Sequence, residues 1–159
     1  MSIVGHGDVA SVLPDRDDLL FFASGVSDSS CTDEKQYQRE IDLLLDQDGL
    51  QHIVYFSSLS VFYSDTRYAE HKRQMEIRIK RFPIWTIIRL GNITWGDNPS
   101  TLINYLHAHP EAEIQDTYRY VVGIEEFMHW IDLIPWWSCE MNIPGRMMKV
   151  KDIVEAYVR

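Results

Sequence analysis

The chain has 159 residues, of which 45% are hydrophobic and 25% are charged, so it is long enough for one domain with a hydrophobic core and is not a disordered chain. Its net charge of -9 and its isoelectric point near 5.0 argue against a general nucleic-acid binder and against a binder of acidic membrane surfaces. We expect neither a secretory leader nor a membrane segment, because no suitable apolar run occurs in the sequence.

The first segment, Ser2–Ala10, reads as a short apolar strand followed by a G-x-G-x-x-A turn, which is the outline of a dinucleotide-binding fingerprint. The helix after the turn stops almost at once at Pro14, and no acidic residue follows on a second strand to hold a ribose. Two interpretations therefore stay open, a cofactor-binding turn that includes Gly5 and Gly7, or an ordinary glycine-rich turn.

Strands and helices alternate along the rest of the chain. The predicted elements are, in chain order, a strand at 17–23, a helix at 33–46, a strand at 52–56, a helix at 68–81, a strand at 84–90, a helix with Pro99 in its first turn, a strand at 118–122, a helix at 125–133, a turn at 142–145 and a closing helix at 150–158. This alternation predicts an α/β fold with a parallel sheet that is covered by helices on both faces.

Polar residues follow three of the predicted strands. In a parallel α/β sheet, ligands bind outside the carboxyl ends of the strands, which is where Ser24, Ser58 and Asn92 fall. The sequence therefore places a candidate binding site at this edge of the sheet.

Ser58, Tyr68 and Lys72 are the most informative residues at that edge. Tyr68 and Lys72 lie one turn apart on the same helix face. An isolated phenol has a pKa of about 10 and is a poor base at neutral pH, but a neighbouring ammonium favours the phenolate. A serine hydroxyl opposite them can hold a substrate oxygen, so the three groups can move a proton while a cofactor gives or takes hydride. The alternative is a half-buried tyrosine beside a solvated lysine.

The cysteines and histidines show no metal-ligand spacing. Cys31 and Cys139 are isolated, as is typical of reduced thiols in a cytoplasmic protein rather than of a disulfide scaffold. The six histidines are scattered and form no ligand set. We therefore predict a cytoplasmic protein without a metal site.

Several segments, in the correct order, resemble the extended short-chain dehydrogenase/reductase family in its NAD-dependent epimerase/dehydratase branch. The matching segments are Phe22–Gly25, Ser57–Phe62, Tyr68–Lys72, Arg89–Gly96, Arg119–Glu126 and Asn142–Gly145. Ser57–Phe62 resembles the family's S-S-x-x-V-Y motif, and Tyr68–Lys72 resembles its Y-x-x-x-K motif. The resemblance implies a Rossmann-like three-layer αβα fold with a mostly parallel sheet, a nucleotide-sugar substrate, and NAD or NADP as cofactor.

The resemblance also implies roles for individual residues. The implied catalytic set is Ser58, Tyr68 and Lys72. The cofactor would be bordered by Gly5, Gly7, Ala23, Ser24 and Gly25, together with Tyr68 and Lys72. The substrate would be held by Arg89, Asn92 and Arg119. Family members also commonly pair two helices across a two-fold axis, which implies a homodimer through the helices at about 33–46 and 67–81.

The chain departs from the family in ways that bear on function. Between Ala10 and Asp17 the two strands and helices that hold adenosine in the family are missing, and the gap from Ser58 to Tyr68 is unusually short. We expect one truncated domain over residues 1–159, with a vestigial substrate region at about 91–148, and weak or absent cofactor binding. Two functions stay open, a minimal NAD(P)-dependent nucleotide-sugar epimerase, dehydratase or reductase, and a non-catalytic relict or partner subunit that binds a nucleotide or nucleotide-sugar.

Overall fold

A five-stranded parallel sheet and a smaller three-stranded sheet organise the computed structural model, which describes residues 2–159. The strands are β1 (Ile3–Val4), β2 (Leu20–Phe22), β3 (Ile53–Ser58), β4 (Trp85–Leu90), β5 (Asn92–Ile93), β6 (Tyr118–Val122), β7 (Cys139–Ile143) and β8 (Arg146–Lys149). The helices are α1 (Glu34–Leu45), α2 (Arg67–Ile79), α3 (Leu102–Ala108), α4 (Ile124–Asp132) and α5 (Val150–Ile153), which continues as a wider π-helical turn over Val154–Val158.

The main sheet has the order β1-β2-β3-β4-β7, and every neighbouring pair is parallel. Its central strand β3 is buried from Ile53 to Ser57, as expected where helices cover both faces of a sheet. The predicted α/β fold with a mostly parallel sheet is therefore confirmed.

Helices pack on both faces of this sheet. On one face, Met75 and Ile79 of α2 join Leu44 of α1 in a buried cluster with Tyr55 and Ile87. On the other face, α4 contributes side chains to a second buried cluster that includes strand residues from β2, β3 and β4. Each of the first two helices begins at a side-chain cap, Asp33 for α1 and Thr66 for α2.

The smaller sheet has the order β5-β6-β8, in which β6 and β8 are antiparallel. The sequence prediction missed β5, β7 and β8, and it assigned only a turn at 142–145 to the segment of the last two. These strands lack a continuous apolar run: the first four residues of β7 and all of β8 are exposed or half-buried.

Helix α3 begins later than the sequence predicted. Its first residue is Leu102, and Thr101 caps it by accepting a hydrogen bond from the backbone N–H of Asn104. Pro99 therefore lies before the helix, and the prediction that it occupies the first turn was wrong. The helix packs its apolar side against α5 and the turn that follows it.

The strand order of the main sheet follows the order of the chain and, within residues 2–159, does not reverse. Between β1 and β2 the described chain contains a single 3-10 turn, Ala10–Val12. In doubly wound folds a dinucleotide binds in the crevice where the strand order reverses. The main sheet described here therefore lacks that crevice, although it keeps the carboxyl-end edge. None of the described helices is long and apolar enough to cross a membrane.

Candidate functional site

A cleft of about 900 Å³ opens at the carboxyl-end edge of the main sheet. Its walls come from the glycine-rich turn after β1, the ends of β2 and β3, the start of α2, and the segments β5 and β6. Of the residues predicted from the sequence, the cleft is lined by Gly7, Ala23, Ser24, Gly25, Ser58, Tyr68, Lys72, Asn92 and Arg119. The predicted Gly5 and Arg89 are not among its lining residues.

The three candidate proton-transfer residues, Ser58, Tyr68 and Lys72, all line this cleft. Because Thr66 caps α2, Tyr68 stands in its first turn and Lys72 follows one turn later on the same face. The Lys72 Nζ lies 5.5 Å from the centroid of the Tyr68 ring. Ser58 ends β3, and its Oγ accepts hydrogen bonds from the backbone N–H and the hydroxyl of Ser60. Since that oxygen accepts both bonds, its own proton is available to a ligand.

Lys72 is buried rather than solvated, and its side chain is only 4% exposed. Its Nζ lies 3.8 Å from Glu40 Oε2, 3.3 Å from the hydroxyl of Tyr55 and 3.5 Å from the carbonyl oxygen of Phe56. The Glu40 carboxylate also bonds the ring of His71 through Nε2. The lysine therefore forms the floor of the cleft and rests on a buried polar cluster.

Burial and charge set the protonation of two groups in this cluster. Burial alone would raise the pKa of Glu40, but the charge of Lys72 and the hydrogen bond with His71 hold that pKa below its usual range. Burial has the largest effect on Tyr55 and raises its pKa well above that of a free phenol, and the negative charge of Glu40 raises this pKa further. Tyr55 therefore stays protonated and donates to the carboxylate oxygens at 3.3 and 3.4 Å.

The glycine-rich turn is tied to the far side of the cleft. Gly5 has φ +122°, and a Cβ at this position would collide with the carbonyl oxygen of Ala23, so a glycine is required there for structural reasons. The carboxylate of Asp8 accepts hydrogen bonds from the backbone N–H groups of Asp97 and Asn98 at 3.2 and 3.0 Å. The turn thus leads into a loop contact rather than into a long helix that could face a diphosphate.

Arg89 does not have the position predicted for a substrate ligand. Its guanidinium bonds both carboxylate oxygens of Glu76, at 2.6 and 3.0 Å, and also reaches Glu140 at 2.9 Å and Asn142 at 3.3 Å. The arginine side chain is 7% exposed. It joins α2 to β4 and β7, so we correct its role from binding to structure.

Three polar groups face the cleft from its other walls. Asn92 donates from Nδ2 to the carbonyl oxygen of Tyr120 at 2.9 Å. Arg119 is held by the hydroxyl of Thr117 and the carbonyl of Tyr118, at 3.0 Å each. Arg39 of α1 donates to the carbonyl oxygen of Ser24 at 3.1 Å.

Sequence reasoning missed Arg39 and Asp8. No local pattern marks Arg39, which reaches the cleft only because α1 packs beside the end of β2. Asp8 stands inside the glycine-rich turn, and its acidic side chain there was an available signal. Within residues 2–159, no group of three or more histidine, cysteine or acidic side chains is arranged to hold a metal ion.

The sequence matches no protein-family model and no curated protein at a significant level. Three enzymes are among the solved structures to which this structure is similar. The Bordetella bronchiseptica enzyme WbmG in complex with NAD and UDP is 12% identical, with a TM-score of 0.64 over 85% of this chain and 54% of that one. The Helicobacter pylori ADP-L-glycero-D-manno-heptose-6-epimerase is 16% identical, with a TM-score of 0.68 over 87% of this chain and 56% of that one.

A UDP-galactose 4-epimerase is 13% identical, with a TM-score of 0.62 over 87% of this chain and 60% of that one. At this level of identity the likeness shows the fold, and the fold expected from the resemblance is confirmed. The chain therefore has the Rossmann-like fold of these enzymes, in a form that spans between 54% and 60% of their length.

Proposed function

We propose that this chain is a shortened NAD(P)-dependent epimerase, dehydratase or reductase of nucleotide-sugars. The observation that carries the proposal is that Ser58, Tyr68 and Lys72 line a single cleft at the carboxyl ends of parallel strands. The similarity to WbmG adds support, because that enzyme was solved with NAD and UDP. The test is a combined one: intrinsic fluorescence titrations with NAD(H) and NADP(H), with and without nucleotide-sugars, followed by assays of turnover.

The chemistry follows from the three side chains. When bound, the nicotinamide cofactor supplies hydride transfer, which protein side chains cannot perform. Tyr68 takes a proton from a substrate hydroxyl or returns one, and the buried ammonium of Lys72 places a positive charge 5.5 Å from the centroid of its ring. Ser58 donates a hydrogen bond from its free hydroxyl to the substrate oxygen, and so holds that oxygen near Tyr68.

The residues present fit the nicotinamide half of such a cofactor better than its adenosine half. Ala23, Ser24 and Gly25 border the cleft at the end of β2, next to Lys72. The strand order of the main sheet, however, does not reverse beside β1, where a doubly wound fold would hold the rest of the dinucleotide. The carboxylate of Asp8, which contacts the loop after β5, also places a negative charge in the glycine-rich turn, where it would disfavour the diphosphate of a dinucleotide.

This mismatch supports a second candidate function. A protein with the cleft but without the adenosine crevice can bind a nucleotide or nucleotide-sugar without catalysing a reaction, either alone or as a partner subunit. The observation that favours it is the unreversed strand order of the main sheet. Saturable binding of a nucleotide-sugar, with no turnover at any cofactor concentration, would select this second function.

Cofactor binding is expected to be weak and to discriminate poorly between NAD and NADP. The reason is that the described main sheet has no strand beyond β1 to carry a residue that reads the ribose 2′ position. Trp95 donates its indole N–H to the backbone of Asp8 at the cleft, so tryptophan fluorescence should report occupancy. Sub-micromolar affinity with a strong preference for either cofactor would contradict this prediction.

On the substrate side, Asn92→Ala is expected to weaken nucleotide-sugar binding about three- to tenfold, the value of one hydrogen bond. Asn92 lines the cleft, and its side chain donates from Nδ2 to the carbonyl oxygen of Tyr120, so its amide oxygen remains able to accept a bond from a ligand. The free energy of unfolding should fall by less than about 1 kcal/mol. Calorimetric titration with thermal melting checks both quantities, and a large loss of stability with unchanged binding would assign Asn92 a structural role.

A homodimer through α1 and α2 stays a prediction. Tyr37 and Leu44 of α1 and Met75 of α2 are buried in the chain's own core, so they are not available to a partner. The apolar side chains left exposed on these helices are Leu45 at 68% and Ile77 at 59%. Light scattering at micromolar concentration should give twice 18.7 kDa, and Ile77→Glu should reduce that mass. A mass near 18.7 kDa for the parent protein would rule the dimer out.

A further inference from the structure

A buried ion pair lies directly beneath the cleft, and the proposed chemistry uses only one of its members. Glu40 is 0% exposed and Lys72 is 3% exposed. Glu40 comes from α1, whereas Lys72 comes from α2, so the pair bridges two helices and faces the end of β3. A buried carboxylate beside the lysine of a proton-transfer set is expected to control the charge and the place of that lysine.

The contacts of the carboxylate leave a cluster with balanced charge. Oε1 of Glu40 is bonded by His71 Nε2, and Oε2 lies 3.8 Å from the Lys72 Nζ. The other ring nitrogen of His71, Nδ1, is buried and has no hydrogen-bond partner among the described residues. The imidazole therefore bonds one carboxylate oxygen, and the Lys72 ammonium lies beside the other. Glu40 and Lys72 are the two oppositely charged groups of this cluster.

The ammonium of Lys72 is held by charge more than by short hydrogen bonds. Its distances to the Tyr55 hydroxyl and to the Phe56 carbonyl are 3.3 and 3.5 Å, both longer than an ordinary hydrogen bond. The ammonium can therefore still donate to a ligand in the cleft. The titratable side chains that face this group are Glu40 on α1, Tyr68 on α2 and Tyr55 on β3. Around them, His71 bonds the Glu40 carboxylate, and the charge of Glu76 acts on Tyr55.

Gly25 leaves the space that the ion pair occupies. A Cβ at this position would collide with Oε2 of Glu40 and would lie 2.6 Å from the Lys72 Nζ. The resemblance had implied only a cofactor contact for this glycine. The geometry gives it an additional role, because any larger residue between the cleft and the pair would displace one of the two charges.

We propose that Glu40 is a positioning residue for the proton-transfer set: its buried carboxylate keeps the Lys72 ammonium charged and fixed at the floor of the cleft, in the space beside Gly25. The catalytic consequence rests on the proposed function, whereas the control of the lysine does not. Without the carboxylate, the buried ammonium loses its counter-ion and releases its proton more easily. A neutral Lys72 would no longer favour the phenolate of Tyr68.

The test compares Glu40→Gln and Glu40→Asp with the parent protein by NMR of lysines labelled with ¹³C at Cε. The chain has lysines at positions 35, 72, 80, 149 and 151, and the Lys72→Met variant assigns the signal of Lys72. We expect the Lys72 signal to change to that of the neutral amine at a pH lower by about 1 unit or more in Glu40→Gln, with partial recovery in Glu40→Asp. An unchanged signal in Glu40→Gln would overturn the proposal.

Two further measurements separate this proposal from its alternatives. Melting temperatures should be higher for the double variant Glu40→Gln/Lys72→Met than for Lys72→Met, because the double variant leaves no buried charge unpaired. This comparison also tests the proposal if Glu40→Gln alone does not fold. A double variant that is no more stable than Lys72→Met would contradict the proposed ion pair.

Turnover provides the last readout. If the parent protein turns over substrate, Glu40→Gln should lose activity as pH rises, at a lower pH than the parent does, and Glu40→Asp should restore part of the profile. If Glu40→Gln shows the expected NMR change but the parent protein does not turn over any substrate, the enzyme proposal fails and the role of Glu40 remains. A pH profile that is identical in parent and Glu40→Gln would overturn the positioning role.

Discussion

Arg89→Met is expected to lower the free energy of unfolding by about 3–5 kcal/mol, because it leaves a buried carboxylate without its partner. The side chains of Arg89 and Glu76 are 7% and 9% exposed, and two hydrogen bonds join them. Methionine keeps an unbranched side chain of similar reach but has no donor. Glu76 would retain the hydroxyl of Ser57 at 2.6 Å, which cannot neutralise its charge. Urea denaturation at neutral pH measures the loss.

Two variants serve as controls for this prediction. Lys80→Met breaks the ion pair with Glu140, whose partners are 44% and 40% exposed, and should cost less than about 1 kcal/mol. Removing both charges in Arg89→Met/Glu76→Leu should restore much of the stability lost in the single variant. If Arg89→Met instead kept its stability and lost nucleotide-sugar binding, the substrate role first inferred for Arg89 would be correct.

The observed positions of Arg89 and Lys72 show which features of the site the sequence can predict and which it cannot. The spacing of Tyr68 and Lys72 on one helix face is local, and so their common orientation could be predicted. Their partners are distant in sequence: Glu76 is 13 positions from Arg89, and Glu40 lies on a different helix from Lys72. Such pairs form only when helices pack on the sheet, and the spacing of residues within one element does not identify the partner.

Glu40 nevertheless left a signal in the sequence. It falls three positions after Tyr37 and four before Leu44, both on the core-facing side of α1, so helical spacing places a carboxylate among buried side chains. Lys72 falls on the corresponding side of α2 with Met75. Two opposite charges, each on the apolar face of a helix that covers the sheet, indicate a buried pair.

The three missed strands, β5, β7 and β8, have a different cause. The first four residues of β7 are exposed or half-buried, and its described sheet pairing is to β4 alone, so its sequence carries no continuous buried run. In contrast, β3 and β4 are buried over most of their length and were predicted at nearly their observed positions. The sequence therefore predicted β2, β3, β4 and β6, whereas β7 at the edge of the main sheet and the short strands β5 and β8 depended on tertiary pairing.

Tyr68→Phe is expected to reduce turnover by about 10²–10⁴-fold, the usual contribution of a general acid–base group, if the chain is the enzyme proposed. The variant removes one oxygen and keeps the ring, which packs against the small buried cluster of Val26, Cys31 and Tyr37. The change in the free energy of unfolding should therefore stay below about 1.5 kcal/mol. Steady-state kinetics combined with thermal melting measure both effects.

Tyr63→Phe is the matched control for this change. Tyr63 also lines the cleft, is 72% exposed, and lies outside the proposed proton-transfer set, so losing its hydroxyl should leave turnover within a few-fold of the parent. Lys72→Met is a poorer control, because it strands the buried carboxylate of Glu40 and lowers stability as well as activity. Unchanged turnover in Tyr68→Phe would defeat the enzyme as assigned, and equal losses in both tyrosine variants would point to a general effect on the cleft. A loss confined to Tyr68→Phe would assign the effect to the phenol hydroxyl, since that is the only group that the substitution removes.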